Sequence, residues 1–532
     1  GQGSGVTDMK STIDADVNLA SFFGRLNYNY KERYLLTFTA REDGSSKFAM
    51  GNKWGFFPAA SAAWRIIEEP FMAGAKKVFS NLKLRLSYGE AGNNRISNSQ
   101  YLMIYSANSG SKRYGVGESA NNHLSTTSVL ANPNLTWETT ITRNVGVDFG
   151  FLDERITGSV ELYWNTAKDL LIEHSITAPG YTTMYENSAE TENKGIDVSL
   201  NFNLVNKRDF SLSAYANINF NKSKVKSLSG GLESMPFQSG WAGTDNKNTD
   251  DYIVRVGDPI GLVYGWEVDY SNGHPYYTTD DFESYDPASK TYKLKDGVAT
   301  TSLLGGAIGV RPGTLKLKDL NNDGVVDLDD RTVIGDTNPT CSGGFGLNAT
   351  YKDFDFTANF TYSVGNDIYN ANKIATTQQY RSGTYPNMLK IMSQSNSYSY
   401  LNQETGLLLT SLEELAAANE GANAKEYWSP YSLGNATIIP TDWALEDASY
   451  LRLQSVTLGY TLPTKLTKQV GIQRCRFYVT ASNLFCITGY SGYDPEVSSY
   501  SRNSSYSGLT PGIDYSSYPK SRAFTFGLNV TL

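Results

Sequence analysis

The sequence predicts an all-β fold, an antiparallel transmembrane β-barrel. Three observations predict it. Apolar and polar residues alternate with period two over runs of ten residues or more; tight charged turns join these runs at one end; long connections rich in Ser, Asn, Gly and Tyr join them at the other.

The alternation is explicit. Leu26, Tyr28 and Tyr30 alternate with Arg25, Asn27 and Asn29. The turn Lys31-Glu32-Arg33 leads into Tyr34, Leu36 and Phe38. The pattern returns at Val145–Phe151 with its turn at Asp153-Glu154-Arg155, at Ile196–Leu204 followed by Phe210–Phe220, and at Phe345–Tyr351 turning at Lys352-Asp353 into Phe354–Tyr362. Strands of soluble proteins run about 5–6 residues. Ten residues tilted by about 45° rise roughly 24 Å, the height of the apolar band of an outer membrane.

Thirteen strands follow in order. Those near 18–30, 54–66, 137–151, 192–204, 343–351, 447–461 and 520–532 run inward toward the short turns. Those near 34–42, 82–91, 156–172, 210–222, 354–366 and 474–486 run outward. The long connections are 92–136, 221–342, 367–446 and 487–519, with extra pairing expected near 260–270. In the last strand Phe524, Phe526, Leu528, Val530 and Leu532 alternate with Thr525, Gly527, Asn529 and Thr531, an amphipathic ending like that of outer-membrane barrels. An odd strand count with two open edges predicts an N-terminal partner that closes the wall, since unpaired N–H and C=O groups are not tolerated in lipid. The start at Gly1-Gln2-Gly3-Ser4 is read as that of a fragment of a longer precursor.

Composition agrees. Tyr numbers 36 and aromatics make up 13%, as amphipathic girdles require. A mean hydropathy of −0.39 fits strands with one wet face, and no apolar run is long enough for a membrane helix. A net charge of −8 argues against nucleic acid as a partner. Cys341, Cys475 and Cys486 match no zinc or redox spacing and are read as buried small hydrophobes. His123, His174 and His274 are read as loop or surface residues. Ser411-Leu412-Glu413-Glu414 opens a short helix through about Asn419, read as a surface decoration. No nucleophile elbow, HExxH, P-loop or Rossmann fingerprint is present, so no catalytic residue is named.

One stretch carries ligand chemistry. Asp319, Asn321, Asp323, Val325, Asp327 and Asp330 occupy positions 1, 3, 5, 7, 9 and 12 of an EF-hand-like loop, with Gly324 at its sharp turn. Side-chain oxygens of five residues and the Val325 carbonyl would hold structural calcium. The competing reading is an acidic turn without metal. Residues 319–330 would lie in an outer loop. Tyr276, Tyr277, Tyr380, Tyr385, Trp428, Tyr431 and Trp443 are the aromatic candidates for ligand contact, with girdle or loop packing as the alternative; they define no site by themselves.

Several segments in order resemble the SusC/RagA family of TonB-dependent outer-membrane transporters of Bacteroidetes. They are Arg41-Glu42-Asp43-Gly44-Ser45-Ser46-Lys47-Phe48, Trp54-Gly55-Phe56-Phe57-Pro58, Ala63-Trp64-Arg65 with Glu69-Pro70-Phe71, and Leu84–Gly89 with Gly92-Asn93. Further along come Asn132–Glu138, Asn193–Asp197, Asp447–Leu453, Leu458–Pro463, Asn483-Leu484-Phe485 and Tyr490–Glu496. The resemblance implies that residues 1–532 are the C-terminal thirteen strands of a twenty-two-strand barrel, with the plug absent from this chain. It implies import of oligosaccharides or peptides, a SusD-like lipoprotein lid, and TonB coupling through an N-terminal region. The rival readings are a surface adhesin or binding barrel that transports nothing and an outer-membrane enzyme with its active site in the loops.

Overall fold

The computed structural model describes residues 17–107, 114–116, 119–121, 124–241, 250–304, 309–378, 387–431, 438–498 and 507–532. Gly1–Ser4, His123, Tyr380 and Tyr385 lie outside the described residues.

Thirteen long strands appear where alternation predicts them. They are β1 (Leu19–Tyr30), β2 (Tyr34–Ser45), β3 (Trp54–Arg65), β4 (Phe79–Asn93), β5 (Glu138–Phe151), β6 (Ile156–Ala178) and β7 (Tyr181–Lys207). After them come β8 (Phe210–Ser227), β9 (Cys341–Tyr351), β10 (Phe354–Val364), β11 (Tyr450–Thr461), β12 (Arg474–Ser482) and β13 (Ala523–Thr531). The chain forms two compact units, residues 1–196 with 222–233 and residues 197–221 with 234–532. The first holds β1 to β6 in sequential order, and the second holds β9 to β13 in the same manner.

Register converts alternation into two chemically distinct faces, because directly paired residues share a face. In the first unit Tyr28, Leu36, Ala62, Leu86, Val145 and Leu162 are successive cross-strand partners. One residue along, Asn27, Thr37, Ser61, Ser87, Asn144 and Tyr163 form the row on the other face. In the second unit Phe210, Tyr351, Phe354, Tyr460, Phe477 and Leu528 line up, and Ser213, Asn348, Thr357, Thr457, Thr480 and Thr525 form a polar row opposite. The apolar rows are bare: Leu162, Leu86, Tyr351, Phe477 and Leu528 are all exposed. A soluble protein rarely exposes a contiguous apolar surface of this extent, whereas a wall in lipid must.

Aromatic rings gather near the short turns. Tyr30, Tyr34 and Trp64 stand side by side with centroids 6.4 and 6.5 Å apart. The Glu69 carboxylate accepts from the Tyr34 hydroxyl at 2.7 Å and from the Trp64 indole at 3.1 Å. This explains the Glu69-Pro70-Phe71 segment: it pins the connection after β3 to the girdle. The turns themselves place Lys31, Glu32, Asp153, Glu154 and Lys352 at positive φ, tolerable where water solvates the strained backbone. Among the described residues β1 pairs only with β2 and β13 only with β12, so each presents one open edge.

The long connections are folded. Ser234–Phe237, Tyr252–Arg255, Leu262–Gly265 and Thr332–Asp336 make a four-stranded sheet, which realises the pairing expected near 260–270. Trp266, Tyr276, Leu315, Tyr398, Leu415 and Trp428 belong to one buried cluster, and Trp241, Tyr252, Tyr369, Ile374, Ile438 and Ile513 to another. Several expectations are corrected here. The helix Leu412–Asn419 starts as predicted, with Ser411 Oγ accepting from the Glu414 N–H at 3.2 Å, but its Leu415 is fully buried, so it is core and no decoration. Cys475 is buried, while Cys341 and Cys486 are half-buried. His174 stands inside β6 facing Ser229, not in a loop, whereas His274 lies in a connection as expected, stacked on Tyr276.

Candidate functional site

Residues 319–330 form a loop that closes on itself. Asp319 accepts from the Asn322 and Gly324 N–H groups at 2.7 and 2.9 Å, and Asp323 accepts from Val325 N–H at 2.8 Å. Asn321 Oδ1 accepts from Asp323 N–H at 2.9 Å, and Asp327 accepts from Asp329 N–H at 2.8 Å. Asp330 is fully buried and accepts from Leu320 N–H at 2.7 Å and Asp327 N–H at 2.8 Å. Gly324 has φ +87°, the left-handed turn that its position requires. The Val325–Val326 strand pairs in parallel with Thr300–Thr301, and Trp266 donates to the Asp327 carbonyl at 2.7 Å, which ties the loop to the buried cluster around Trp266. The five acidic and amide side chains thus turn toward the loop's own N–H groups. Among the described residues no three His, Cys, Asp or Glu side chains converge at a metal-binding spacing.

The aromatic candidates separate by burial. Tyr276, Tyr277 and Trp428 are buried and cannot meet a ligand on the surface. Trp443 packs edge-on against Trp428 at 4.9 Å, under the Lys373 ammonium at 4.1 Å. Burial holds that ammonium below its ordinary pKa, against the pull of Glu446. Tyr431 is exposed. Packing therefore accounts for most of the set.

Two pieces of the sequence read separately come together. Arg452 at the start of β11 donates to Asp494 at 2.7 Å and lies 2.8 Å from Glu496, and Tyr450 donates to Glu496 at 2.6 Å. Lys520 closes the cluster on Glu496. Tyr490 donates to the buried Asp514 at 2.6 Å, and Glu446 accepts from Ser491 N–H and Oγ at 2.8 Å each. The segment between β12 and β13 is thereby strapped to the wall strand. Forty-two residues separate Arg452 from Asp494, so no local signal could have joined them. The same holds near β2, where Phe48 and Phe57 pack on Trp137 at 5.5 and 5.6 Å. A Cβ on Gly92 would sit 2.1 Å from the Phe57 ring, which explains the glycine there.

The polar face carries charge in matched sets. Asp148 lies between Lys83 at 3.1 Å and Arg85 at 3.0 Å, and Arg85 also reaches Glu161 at 3.5 Å. Asp355 and Arg476 pair on the same face of the second unit. The surrounding rows are Ser, Thr and Asn, with hydroxyls such as Thr457 and Thr480 at 2.8 Å from one another. Such a surface offers donors and acceptors with little net charge.

Residues 2–306 match the family model described as "TonB dependent receptor-like, beta-barrel". A TonB-dependent receptor of Formosa agariphila is 32% identical over 99% of this chain and 47% of its own length. The TonB-dependent receptor SusC of Bacteroides thetaiotaomicron is 32% identical over 96% of this chain and 43% of its own length. A structure of the RagAB peptide transporter shares the fold, with a TM-score of 0.69 at 23% identity over 97% of this chain and 48% of that one. The chain spans about half the length of these relatives.

Proposed function

Because the chain belongs to the TonB-dependent receptor-like β-barrel family, as an outer-membrane protein of the SusC/RagA type, we propose that it forms the C-terminal wall and outer loop layer of an energised importer of oligosaccharides. The observation that carries this reading is the pair of continuous rows: an exposed apolar face for lipid, and a polar face of Ser, Thr, Asn and paired charges for a wet conduit. Hydroxyl- and amide-rich walls suit neutral polyols, which exchange hydrogen bonds with water without ion-pair trapping. An N-terminal portion with further strands, plug and TonB-contacting segment completes the pore, and a SusD-like lipoprotein covers the folded outer loops. This half performs no bond chemistry.

Structural calcium at residues 319–330 belongs to the same proposal. Asp319, Asn321, Asp323, Asp327 and Asp330 supply hard oxygen ligands, and Val325 its carbonyl. Carboxylates that already accept one N–H bond retain further acceptor sites. The ion would stiffen the loop against the Trp266 cluster.

The test is genetic and direct. A strain lacking the whole gene is grown on single glycans and on peptide mixtures as sole nutrient. Loss of growth on one glycan, restored by the gene, supports the reading. Loss confined to peptides makes it a peptide importer. Normal uptake of every nutrient, with ligand binding intact, makes it a surface-binding barrel.

A further inference from the structure

Charged side chains interrupt the apolar face of the first unit toward the long-loop end: Glu42, Glu90 and, as the cation among these three, Arg143. Arg143 in β5 is the cross-strand partner of Tyr88 on one side and Trp164 on the other. Both aromatic side chains are exposed on the apolar face, and the same row continues through Ala60, Phe38 and Leu26. The guanidinium lies over the Tyr88 ring at 6.0 Å and donates to Thr166 Oγ1 at 3.2 Å. Among the described residues no carboxylate forms an ion pair with it; Glu90, the acid on the neighbouring row, accepts from the Tyr88 hydroxyl instead. A charge at the centre of a bilayer costs several kcal/mol, so such residues sit at the interface or find a partner. Eight residues separate Arg143 from Phe151 at the short-turn end, which at 45° tilt is about 19 Å. That height is roughly 5 Å inside the outer edge of the apolar band, a distance a long arginine side chain spans to reach lipid phosphates.

Beside this cation lies a cavity of about 520 Å³ on the same face, walled by Leu26, Phe38 and Tyr88 and floored by Gly24, Pro58 and Ala60. β3 explains it. Its face residues are bulky at both ends, Trp54 and Phe56 against Trp64, and small between them, Pro58, Ala60 and Ala62. Tyr88 borders both the cavity and the guanidinium.

We propose that Arg143, flanked by Tyr88 and Trp164, binds the phosphate of an anionic lipid whose acyl chain occupies the cavity over Pro58 and Ala60. The site rests on the reading of this face as the lipid-facing one. Charge selects the occupant: a guanidinium with no carboxylate partner among the described residues, within reach of the headgroup level, takes an anion, and the apolar cavity beside it takes hydrocarbon.

The experiment uses the whole transporter, N-terminal portion included, delipidated in detergent and titrated with phosphatidylglycerol or phosphatidylcholine of identical chains, with bound lipid counted by native mass spectrometry. Wild-type protein should retain one phosphatidylglycerol molecule about tenfold more tightly than Arg143→Gln, and Arg143→Lys should keep most of the difference. Phosphatidylcholine should not distinguish the variants. Displacement of that lipid by millimolar inorganic phosphate would overturn the proposal in favour of a free anion. Equal phosphatidylglycerol retention in the wild-type and Gln forms would overturn it outright, while weak annular binding of both lipids would leave the lipid-facing reading intact. Failure to take up either lipid would instead remove that underlying reading. Heat-modifiable migration on gels establishes that each variant is folded before titration.

Discussion

Substituting Arg452→Met should release the segment between β12 and β13. The Arg452 side chain is 5% exposed and Asp494 only 2%, at 2.7 Å. Met keeps the volume and removes the charge, leaving Asp494 and Glu496 facing each other. Breaking a buried pair at one partner costs about 3–5 kcal/mol. Lys520 still reaches Glu496 and lies 3.8 Å from Asp494; this remaining cation, although 44% exposed and partly screened, offsets some of the orphaned charge and keeps the cost near the lower figure. At about 1.4 kcal/mol per factor of ten, local opening becomes roughly 100-fold more frequent. Hydrogen exchange read by mass spectrometry should show faster exchange across 489–498, including the Glu496 N–H that bonds Asp494 at 2.9 Å. Exchange in the β12–β13 ladder should not change. Adding Asp494→Asn and Glu496→Gln removes the orphaned charges and should restore most of the protection. Unaltered exchange across 489–498 in Arg452→Met would refute the view that this cluster holds the strap.

Two further perturbations address the loop layer. Asp251 is buried, and burial pushes its carboxyl up to about 7 despite the two hydrogen bonds it accepts from Ser239. A folded value above the unfolded one favours the protonated native form, so the layer should be most stable near pH 4 and lose roughly 4 kcal/mol as pH rises to about 7, then level off. Protease resistance of the outer loops across that range measures it, and Asp251→Asn should flatten the profile. Trp428→Ala opens a cavity at a fully buried position and should destabilise the layer by about 3–5 kcal/mol, seen as early loop cleavage with barrel migration unchanged.

The thirteen wall strands were legible because lipid and water impose a strict two-residue period, and because charged turns such as Lys31-Glu32-Arg33 interrupt it. Where that constraint lapses the reading fell short. β7 begins at Tyr181, eleven residues before the expected 192, because Ser188-Ala189-Glu190-Thr191-Glu192 shows no apolar alternation. The loop cores were illegible for another reason. Strands as short as Val325–Val326 carry no measurable period, and Tyr276 and Tyr277 are adjacent residues that both become buried by contacts far along the chain. Arg452 and Asp494 stood in recognisable segments, yet their pairing is a fact of tertiary structure alone. The acidic run at 319–330 stood out by its spacing, and its closed turn is local, held by hydrogen bonds between residues two to ten positions apart.

Paired single-cysteine labelling tests the central claim most directly, with Cys341, Cys475 and Cys486 replaced by Ser and the protein assembled in membranes. Cysteines at Leu36, Leu86 and Leu162 should react only with a membrane-soluble maleimide. Those one residue along, at Thr37, Ser87 and Tyr163, should react with a charged, water-soluble one. Equal reaction of both sets with the water-soluble reagent would contradict the assignment of one face to lipid and the other to a wet conduit.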